Sequence, residues 1–172
     1  MADVVAFEFA DPAGEALRIA WDGEALSSLD REVERRYPAW SIDGTPDWDE
    51  ISSLRILSGR LADERLITIV ALRPLAAEGH GDELLAGAVG DAEGFDQLDQ
   101  TLLSTEYSPD GLPRRVGLEL YTERDGLPLR VAGEATATAL SDSAGVRRLS
   151  VSLSLRSGGA GGTGLLDVLR RI

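Results

Sequence analysis

The one histidine of this chain, His80, is the first residue whose type could do chemistry. It lies in the acidic segment EGHGDE, which comprises residues 78–83. A histidine beside carboxylates could act as a general base or as one metal ligand, although a solvated loop histidine fits the same pattern. Since the chain holds one histidine and no cysteine, it lacks the donors of an ordinary zinc site. We therefore expect no metal site and no cofactor.

Carboxylates concentrate in two further segments, which comprise Asp47, Asp49 and Glu50, and then Asp91, Glu93, Asp96 and Asp99. Neither set has the spacing of an EF-hand loop, so solvated acidic loops are the simpler interpretation.

Charged and polar side chains also alternate along two segments of the last third of the chain. Arg115, Glu119 and Tyr121 share one face, and Glu134 and Thr136 share a face of the next segment. On an outer face they would form surface cross-strand pairs. On an inner face, burial would raise the pKa of Glu119 and Glu134 and make them acid–base candidates.

Two of the three tryptophans, Trp40 and Trp48, lie with Tyr37 in the irregular segment 37–49. Aromatic side chains on such a loop could cap an apolar ligand at the mouth of a cavity. They could equally pin the loop onto the body of the protein. Both interpretations stay open at this point.

The glycines of residues 159–164 formally match the G-x-G-x-x-G dinucleotide fingerprint. The match fails because the fingerprint needs an acidic residue about 20 positions later, whereas the sequence ends at Ile172. The segment instead indicates a flexible connection. Every one of the 17 basic residues is arginine, as GC-rich bacterial genomes favour, so lysine chemistry is excluded. The net charge of −13 argues against a nucleic acid or an anionic membrane as partner.

The elements that must position these residues are mostly strands. Pro109-Asp110-Gly111, Arg124-Asp125-Gly126 and Ser143-Ala144-Gly145 punctuate segments rich in Val, Leu and Thr, which is typical of β-hairpins. The clearest strand is 148–156. Its apolar residues, Leu149, Val151, Leu153 and Leu155, alternate with Arg148, Ser150, Ser152, Ser154 and Arg156.

Further strands are predicted over 4–9, 15–21, 53–61, 65–73, 83–89 and 100–107. A helix is predicted over 24–36, where Leu26, Leu29 and Val33 form one apolar stripe, and a short helix over 164–171. The pattern predicts an all-β antiparallel meander that closes into a barrel, in a single domain over 1–172. The small face formed by Gly133, Ala135, Ala137 and Ala139 would leave space inside, or would admit a packed helix or loop.

Several segments resemble the lipocalin-like proteins related to carotenoid hydratases of the hydroxyneurosporene synthase type. They are Leu57-Ser58-Gly59-Arg60, Ala71-Leu72-Arg73-Pro74, Leu103-Ser104-Thr105-Glu106-Tyr107, Pro109-Asp110-Gly111 and residues 114–120. The resemblance covers about residues 53–140 and implies a lipocalin-like β-barrel. That group also includes cofactor-free cyclases of natural-product pathways, and its members typically carry two such domains. No catalytic residue of the group matches a position here.

We therefore expect a barrel that binds an apolar small molecule, as a cofactor-free cyclase, isomerase or hydratase or as a non-catalytic carrier or sensor. A pocketless β-sandwich interaction module is the alternative. The expected ligand-binding residues are Trp40, Trp48, Tyr107, Leu118, Leu120 and Val131. The sequence shows no signal peptide and no apolar run of spanning length, which predicts a cytoplasmic protein. A homodimer is left open.

Overall fold

The computed structural model of the protein describes residues 4–10, 16–22, 25–28, 41–42, 51–79, 82–90, 95–98, 100–121, 128–143 and 145–172. None of these described residues lies in an α-helix, and the predicted all-β class is confirmed. Their strands are β1 (Val4–Ala10), β2 (Ala16–Asp22), β3 (Ala25–Ser28), β4 (Ser41–Ile42), β5 (Ile51–Leu61), β6 (Leu66–Pro74), β7 (Leu84–Gly90), β8 (Phe95–Gln97), β9 (Gln100–Tyr107), β10 (Pro113–Tyr121), β11 (Leu129–Ser143), β12 (Val146–Ser157) and β13 (Ala160–Arg171).

A small antiparallel sheet contains the first strands, in the order β3-β2-β1-β4. The predicted hairpin of β1 and β2 is confirmed, with Val4 opposite Asp22 and Ala10 opposite Ala16. The helix predicted over 24–36 is wrong at its start, because residues 25–28 form β3 and pair with β2. Residues 29–36 lie outside the described residues. Within the predicted loop 37–49, residues 41–42 form β4 against β1.

The second sheet has nine strands in the order β8-β7-β6-β5-β13-β12-β11-β10-β9. Each strand from β6 to β8 and from β10 to β13 pairs with its predecessor, and β13 returns to pair antiparallel with β5. The meander thus joins its last strand to its first, and the sheet curls into a half-barrel. It stays open between β8 and β9, where Leu98 N–H donates a hydrogen bond of 3.0 Å to Gly87 O.

Two turns of the predicted hairpin series rest on glycines in the left-handed region. Gly111 has φ +81° and Gly145 has φ +77°, values that L-residues with a Cβ rarely adopt. Both lie in turns that the Asp-Gly and Ala-Gly pairs predicted. The third predicted turn, at residues 124–126, lies outside the described residues.

Strand β12 shows the alternation that its sequence predicts. Leu149, Val151, Leu153 and Leu155 are buried, whereas Ser152, Ser154 and Arg156 beside them are exposed. The buried face joins one core with the facing strands, formed by Leu57, Leu61, Ile67, Ile69, Leu98, Val116, Leu118, Leu120, Val131, Leu149, Val151, Leu153, Leu155, Leu166 and Val168. The concave side of the half-barrel is therefore apolar over most of its length.

Leu155 lies at the centre of what we call the packed end, which it forms with Gly59, Gly133 and Gly164. A Cβ on Gly59 would lie 2.5 Å from Leu155 Cδ1, one on Gly133 would lie 3.0 Å from Leu155 Cδ2, and one on Gly164 would lie 3.0 Å from Leu155 Cδ1. The first distance is shorter than real carbon–carbon contacts allow, and the other two are tighter than most such contacts. The glycines therefore make the space that the leucine fills.

The C-terminal helix predicted over 164–171 is wrong, because these residues belong to β13 between β5 and β12. The glycine-rich segment before it is likewise a strand and not a flexible connection. A Cβ on Gly162 would lie 2.3 Å from Arg60 O, so a side chain there would collide with the neighbouring backbone. Glycine is required here by close strand packing rather than by mobility.

The small-residue face predicted for β11 does not leave open volume. Gly133 and Ala135 lie opposite Leu155 and Leu153, and Val116 Cγ2 lies 2.6 Å from where a Gly133 Cβ would be. The register shifts between Ala135 and Ala137, so the later alanines no longer share the core face. Core side chains fill the space at Gly133.

The opposite face of β5, β6 and β13 is buried as well. Leu54, Ile56 and Val70 are at most 2 % exposed although they point away from the core cluster. On the same side of β13, the buried Asp167 carboxylate accepts hydrogen bonds from Arg148 Nε at 3.2 Å and Ser150 Oγ at 2.5 Å. These strands therefore carry apolar residues on both faces, which hides the period of two.

Candidate functional site

A cavity of about 1150 Å³ opens along β9, the strand at the free edge of the described nine-stranded sheet. It reaches both sides of this strand, since both Leu103 and Ser104 line it. Its apolar wall is formed by Leu85, Leu102, Leu103, Leu118, Val131 and Val168. A space of this size could hold one drug-sized molecule.

The far end of the cavity, which we call the polar end, is formed by Ser53, Arg55, Arg73, Glu83 and Arg170. It lies at the ends of β5, β6 and β13 opposite the packed end. Arg55 lies on the core face of β5, in phase with Leu57 and Gly59. The apolar core therefore gives way to charged side chains along a single strand face.

Arg55 and Glu83 form a buried ion pair in the wall of the cavity. Arg55 Nε donates to Glu83 Oε1 at 3.1 Å and Arg55 Nη2 donates to Glu83 Oε2 at 2.5 Å. The two side chains are only 11 % and 14 % exposed. Arg55 Nη1 also donates to Thr105 Oγ1 at 2.8 Å, which ties β5 to β9 across the half-barrel. The bidentate geometry fixes the carboxylate and the guanidinium in one arrangement.

Tyr107 and Arg170 form the rim of the cavity on the β9 side. The Arg170 guanidinium lies over the Tyr107 ring, 5.0 Å from its centroid, which is a cation–π contact. Arg73 of β6 lines the same cavity.

The cavity is cationic although the protein is strongly acidic. Among the described residues that line it, five are arginines and two are glutamates. They are Arg55, Arg73, Arg130, Arg156 and Arg170, with Glu83 and Glu119. The whole chain has a net charge of −13, so the positive lining is a local feature that favours a negatively charged or electron-rich group.

The fold resembles that of a solved hydratase. The structure of kievitone hydratase from Nectria haematococca matches with a TM-score of 0.52 and 12 % sequence identity. The match covers 96 % of this chain and 55 % of the hydratase chain, so this chain spans about half the length of that protein. At this identity the similarity concerns the fold alone, and it agrees with the lipocalin-like barrel that the sequence resembles. No family model matches the chain, and no curated protein sequence matches it.

The predicted ligand-binding residues fall into three groups. Tyr107, Leu118 and Val131 line the cavity, and Leu118 and Val131 are also part of the core. Leu120 is buried in the core at 1 % exposure and is not among the lining residues. Trp40 and Trp48 lie outside the described residues. Whether these residues contact a ligand stays a prediction.

Two of the carboxylates considered in the sequence, Glu119 and Glu134, lie on the face opposite the core. Glu134 pairs with Arg115 across strands at 3.7 Å and is 73 % exposed, so it is a surface residue. Glu119 pairs with Arg130 at 3.2 Å and accepts a hydrogen bond from Tyr121 Oη at 3.2 Å. Both glutamates therefore lie on the face that the surface cross-strand alternative expected, although Glu119 also lines the cavity. An acid–base role for Glu119 stays a prediction.

His80 lies outside the described residues. Beside it, hydrogen bonds fix the carboxylate of Asp82. Asp82 Oδ2 accepts hydrogen bonds from the backbone N–H groups of Glu78 and Gly79 at 2.9 and 3.0 Å. These two bonds, more than the nearby charge of Arg73, hold the pKa of Asp82 below its usual value. The described part of the chain contains no group of three or more His, Cys, Asp or Glu side chains placed to hold a metal ion.

The described ranges also contain no helix that is long and apolar enough to cross a membrane.

The sequence pattern did not predict the Arg55–Glu83 pair or the arginines that line the cavity. One feature of the sequence could have indicated the pair. Arg55 lies within the apolar run Leu54-Arg55-Ile56-Leu57, on the same strand face as the core residue Leu57. Its partners are 28 and 50 residues away along the chain, so only the folded sheet brings them together.

Proposed function

We propose that this protein binds a largely apolar small molecule in the cavity along β9. The observation that carries the proposal is the cavity itself, with about 1150 Å³ of space and an apolar wall that includes Leu85, Leu103 and Val168. Small-molecule sites are typically concave and mostly apolar, with few fixed polar groups. A pocketless interaction module would not need such a space.

The fixed polar groups are supplied by the Arg55–Glu83 pair and the rim residue Tyr107. Because Arg55 is held by three hydrogen bonds, it presents a rigid polar surface at one end of the apolar wall. A bound molecule would place its polar substituent there and its apolar body along β9. This arrangement would give one preferred orientation of the ligand.

A second candidate is catalysis without a cofactor, as a hydratase, isomerase or cyclase. Glu83 favours it, because this carboxylate lines the cavity, is nearly buried and is oriented by a bidentate arginine. An oriented carboxylate beside a bound substrate could accept or return a proton, and a shaped apolar wall could hold a flexible chain in a reactive conformation. The similarity in fold to a hydratase is consistent with this candidate.

The binding proposal is tested with N-phenyl-1-naphthylamine, a neutral apolar dye whose fluorescence rises in an apolar site. We expect saturable binding at about one dye per chain. Leu103→Trp should weaken it by about tenfold, because the larger ring occupies the cavity. Ser152→Trp is the control, since it adds the same ring on the exposed face of β12. Absence of saturable binding, or equal binding by both variants, would contradict the proposal.

A further inference from the structure

A row of cross-strand neighbours runs across the polar end. Arg73 on β6 lies opposite Ser53 on β5, and Ser53 lies opposite Arg170 on β13. All three line the cavity. Since neighbouring strands are about 4.8 Å apart, the backbones of the two arginines are about 10 Å apart, with the small Ser53 between them. Both long side chains can therefore reach one group held above Ser53.

The two guanidinium groups have hydrogen-bond donors to spare. Arg170 is held by the face of the Tyr107 ring, a contact that does not use its N–H groups. Within the described ranges, the guanidinium of neither Arg73 nor Arg170 donates a hydrogen bond or forms an ion pair with a carboxylate. Arg55 contrasts with them, because Glu83 and Thr105 take up its donors.

Carboxylates outnumber cations in this chain, which has 30 Asp and Glu residues and 17 basic ones. Six other described arginines pair with carboxylates, namely Arg60, Arg65, Arg115, Arg130, Arg147 and Arg148. The charge of Arg73 contributes to the lowered pKa of Asp82, so the two residues are near each other. Backbone N–H groups nevertheless hold the Asp82 carboxylate, and it forms no ion pair with Arg73. Among the described residues, the one carboxylate that lines the polar end, that of Glu83, is taken up by Arg55, so the position above Ser53 has no unpaired carboxylate beside it.

We propose that Arg73 and Arg170 together bind an anionic group of the ligand, a carboxylate, whose apolar remainder lies along Leu103 and Val168. A carboxylate has two acceptor oxygens and no donor, which suits two arginines that flank Ser53 on neighbouring strands and line the same cavity. The substrate class is then a long apolar molecule that carries one acid group. This inference rests on the proposed function, since it requires that the cavity binds an apolar molecule.

The test compares dodecanoate with dodecan-1-ol, which has the same chain but no charge, as competitors of N-phenyl-1-naphthylamine. We expect dodecanoate to displace the dye at a concentration about tenfold lower. Its advantage should shrink with added salt, whereas displacement by the alcohol should not. In Arg73→Gln/Arg170→Gln the two competitors should become equal.

The matched control is Arg114→Gln/Arg115→Gln, which removes the same net charge from two exposed positions and should leave the preference unchanged. Equal displacement by both competitors in the wild-type protein would overturn the anion site and leave the proposed function standing. A preference that persists in Arg73→Gln/Arg170→Gln would also overturn it. Failure of the dye itself to bind would overturn the proposed function and this inference with it. The salt dependence needs no variant and tests the inference even if the double variant does not fold.

Discussion

At the packed end, Leu155 fills a space that Gly59, Gly133 and Gly164 leave free, whereas at the polar end the same sheet places Arg55 and Arg73 beside an open cavity. Leu61 and Arg55 are six residues apart on one face of β5, and Leu61 is 1 % exposed. The same strands of the half-barrel thus form a close-packed core at one end and a cavity lined by charged side chains at the other. Stability and binding should therefore respond to different substitutions.

The largest effect on stability is expected at the packed end. Leu155→Ala should lower the free energy of unfolding by about 2–5 kcal/mol, because it removes a buried side chain and leaves a cavity among glycines that cannot fill it. Leu102→Ala is the control at the cavity, where the leucine is 49 % exposed, and it should cost less than about 1 kcal/mol. Urea denaturation measures both, and equal losses would remove the contrast between the two ends.

The glycine arrangement predicts an interaction between two substitutions. Gly59→Ala should cost about 1–3 kcal/mol, because its Cβ would lie 2.5 Å from Leu155 Cδ1. In the Leu155→Ala background the same change should cost almost nothing, since the colliding atom is gone. A double-mutant cycle measured by urea denaturation gives the coupling, and a coupling near zero would contradict close packing of Leu155 against Gly59.

Gly162→Ala is the control for that cycle. Its Cβ would meet the backbone oxygen of Arg60 at 2.3 Å, and this obstacle does not depend on Leu155. The substitution should therefore destabilise the protein equally in both backgrounds. If Leu155→Ala also reduced the destabilisation caused by Gly162→Ala, the strands would be adjusting generally, and the coupling at Gly59 would not be specific to its contact with Leu155.

A smaller effect on stability is expected at the polar end. Glu83→Gln should cost roughly 1–2 kcal/mol, because Arg55 loses the charge that balances it in a nearly buried position. Adding Arg55→Gln should return part of this loss, since no unbalanced charge remains. Thermal denaturation of the two single variants and the double variant measures these losses. A double variant that loses more stability than the two single variants together would contradict the prediction.

The smallest effect is expected on the exposed face of β12. Ser152→Ala should change the free energy of unfolding by less than about 0.5 kcal/mol, because this side chain lies on the face away from the core. Leu153→Ala, one residue along, should behave like Leu155→Ala because Leu153 is 3 % exposed. Similar urea midpoints for the two neighbours would mean that the strand does not have one buried face.

The sequence predicted the hairpins well where one strand face is wet. In β12 the serines and arginines alternate with leucines, and the turns at Gly111 and Gly145 carry residues suited to positive φ. It predicted β13 wrongly because both faces of this strand are buried, one through Leu166 and Val168 and the other through Leu169. Without a polar face a strand loses its period of two, and the glycines before it resemble a loop.

The candidate site could be predicted only in part. Tyr107, Leu118 and Val131 were expected at a ligand and do line the cavity, because they lie on strands whose alternation is readable. Arg55 and Glu83 could not be paired from the sequence, since 28 residues separate them and the half-barrel curvature brings them together. The register between β6, β5 and β13 that places Arg73 and Arg170 about Ser53 depends on the same long-range pairing.

The most direct test of the contrast between the two ends is a methyl NMR titration with dodecanoate, using leucine and valine methyl groups as probes. We expect chemical-shift changes at the cavity wall, at Leu85, Leu103 and Val168, and little change at Val151 and Leu155 in the core. The changes should saturate at one dodecanoate per chain. Shifts that concentrate at Leu155, or that spread evenly over both ends, would contradict a ligand cavity at the polar end.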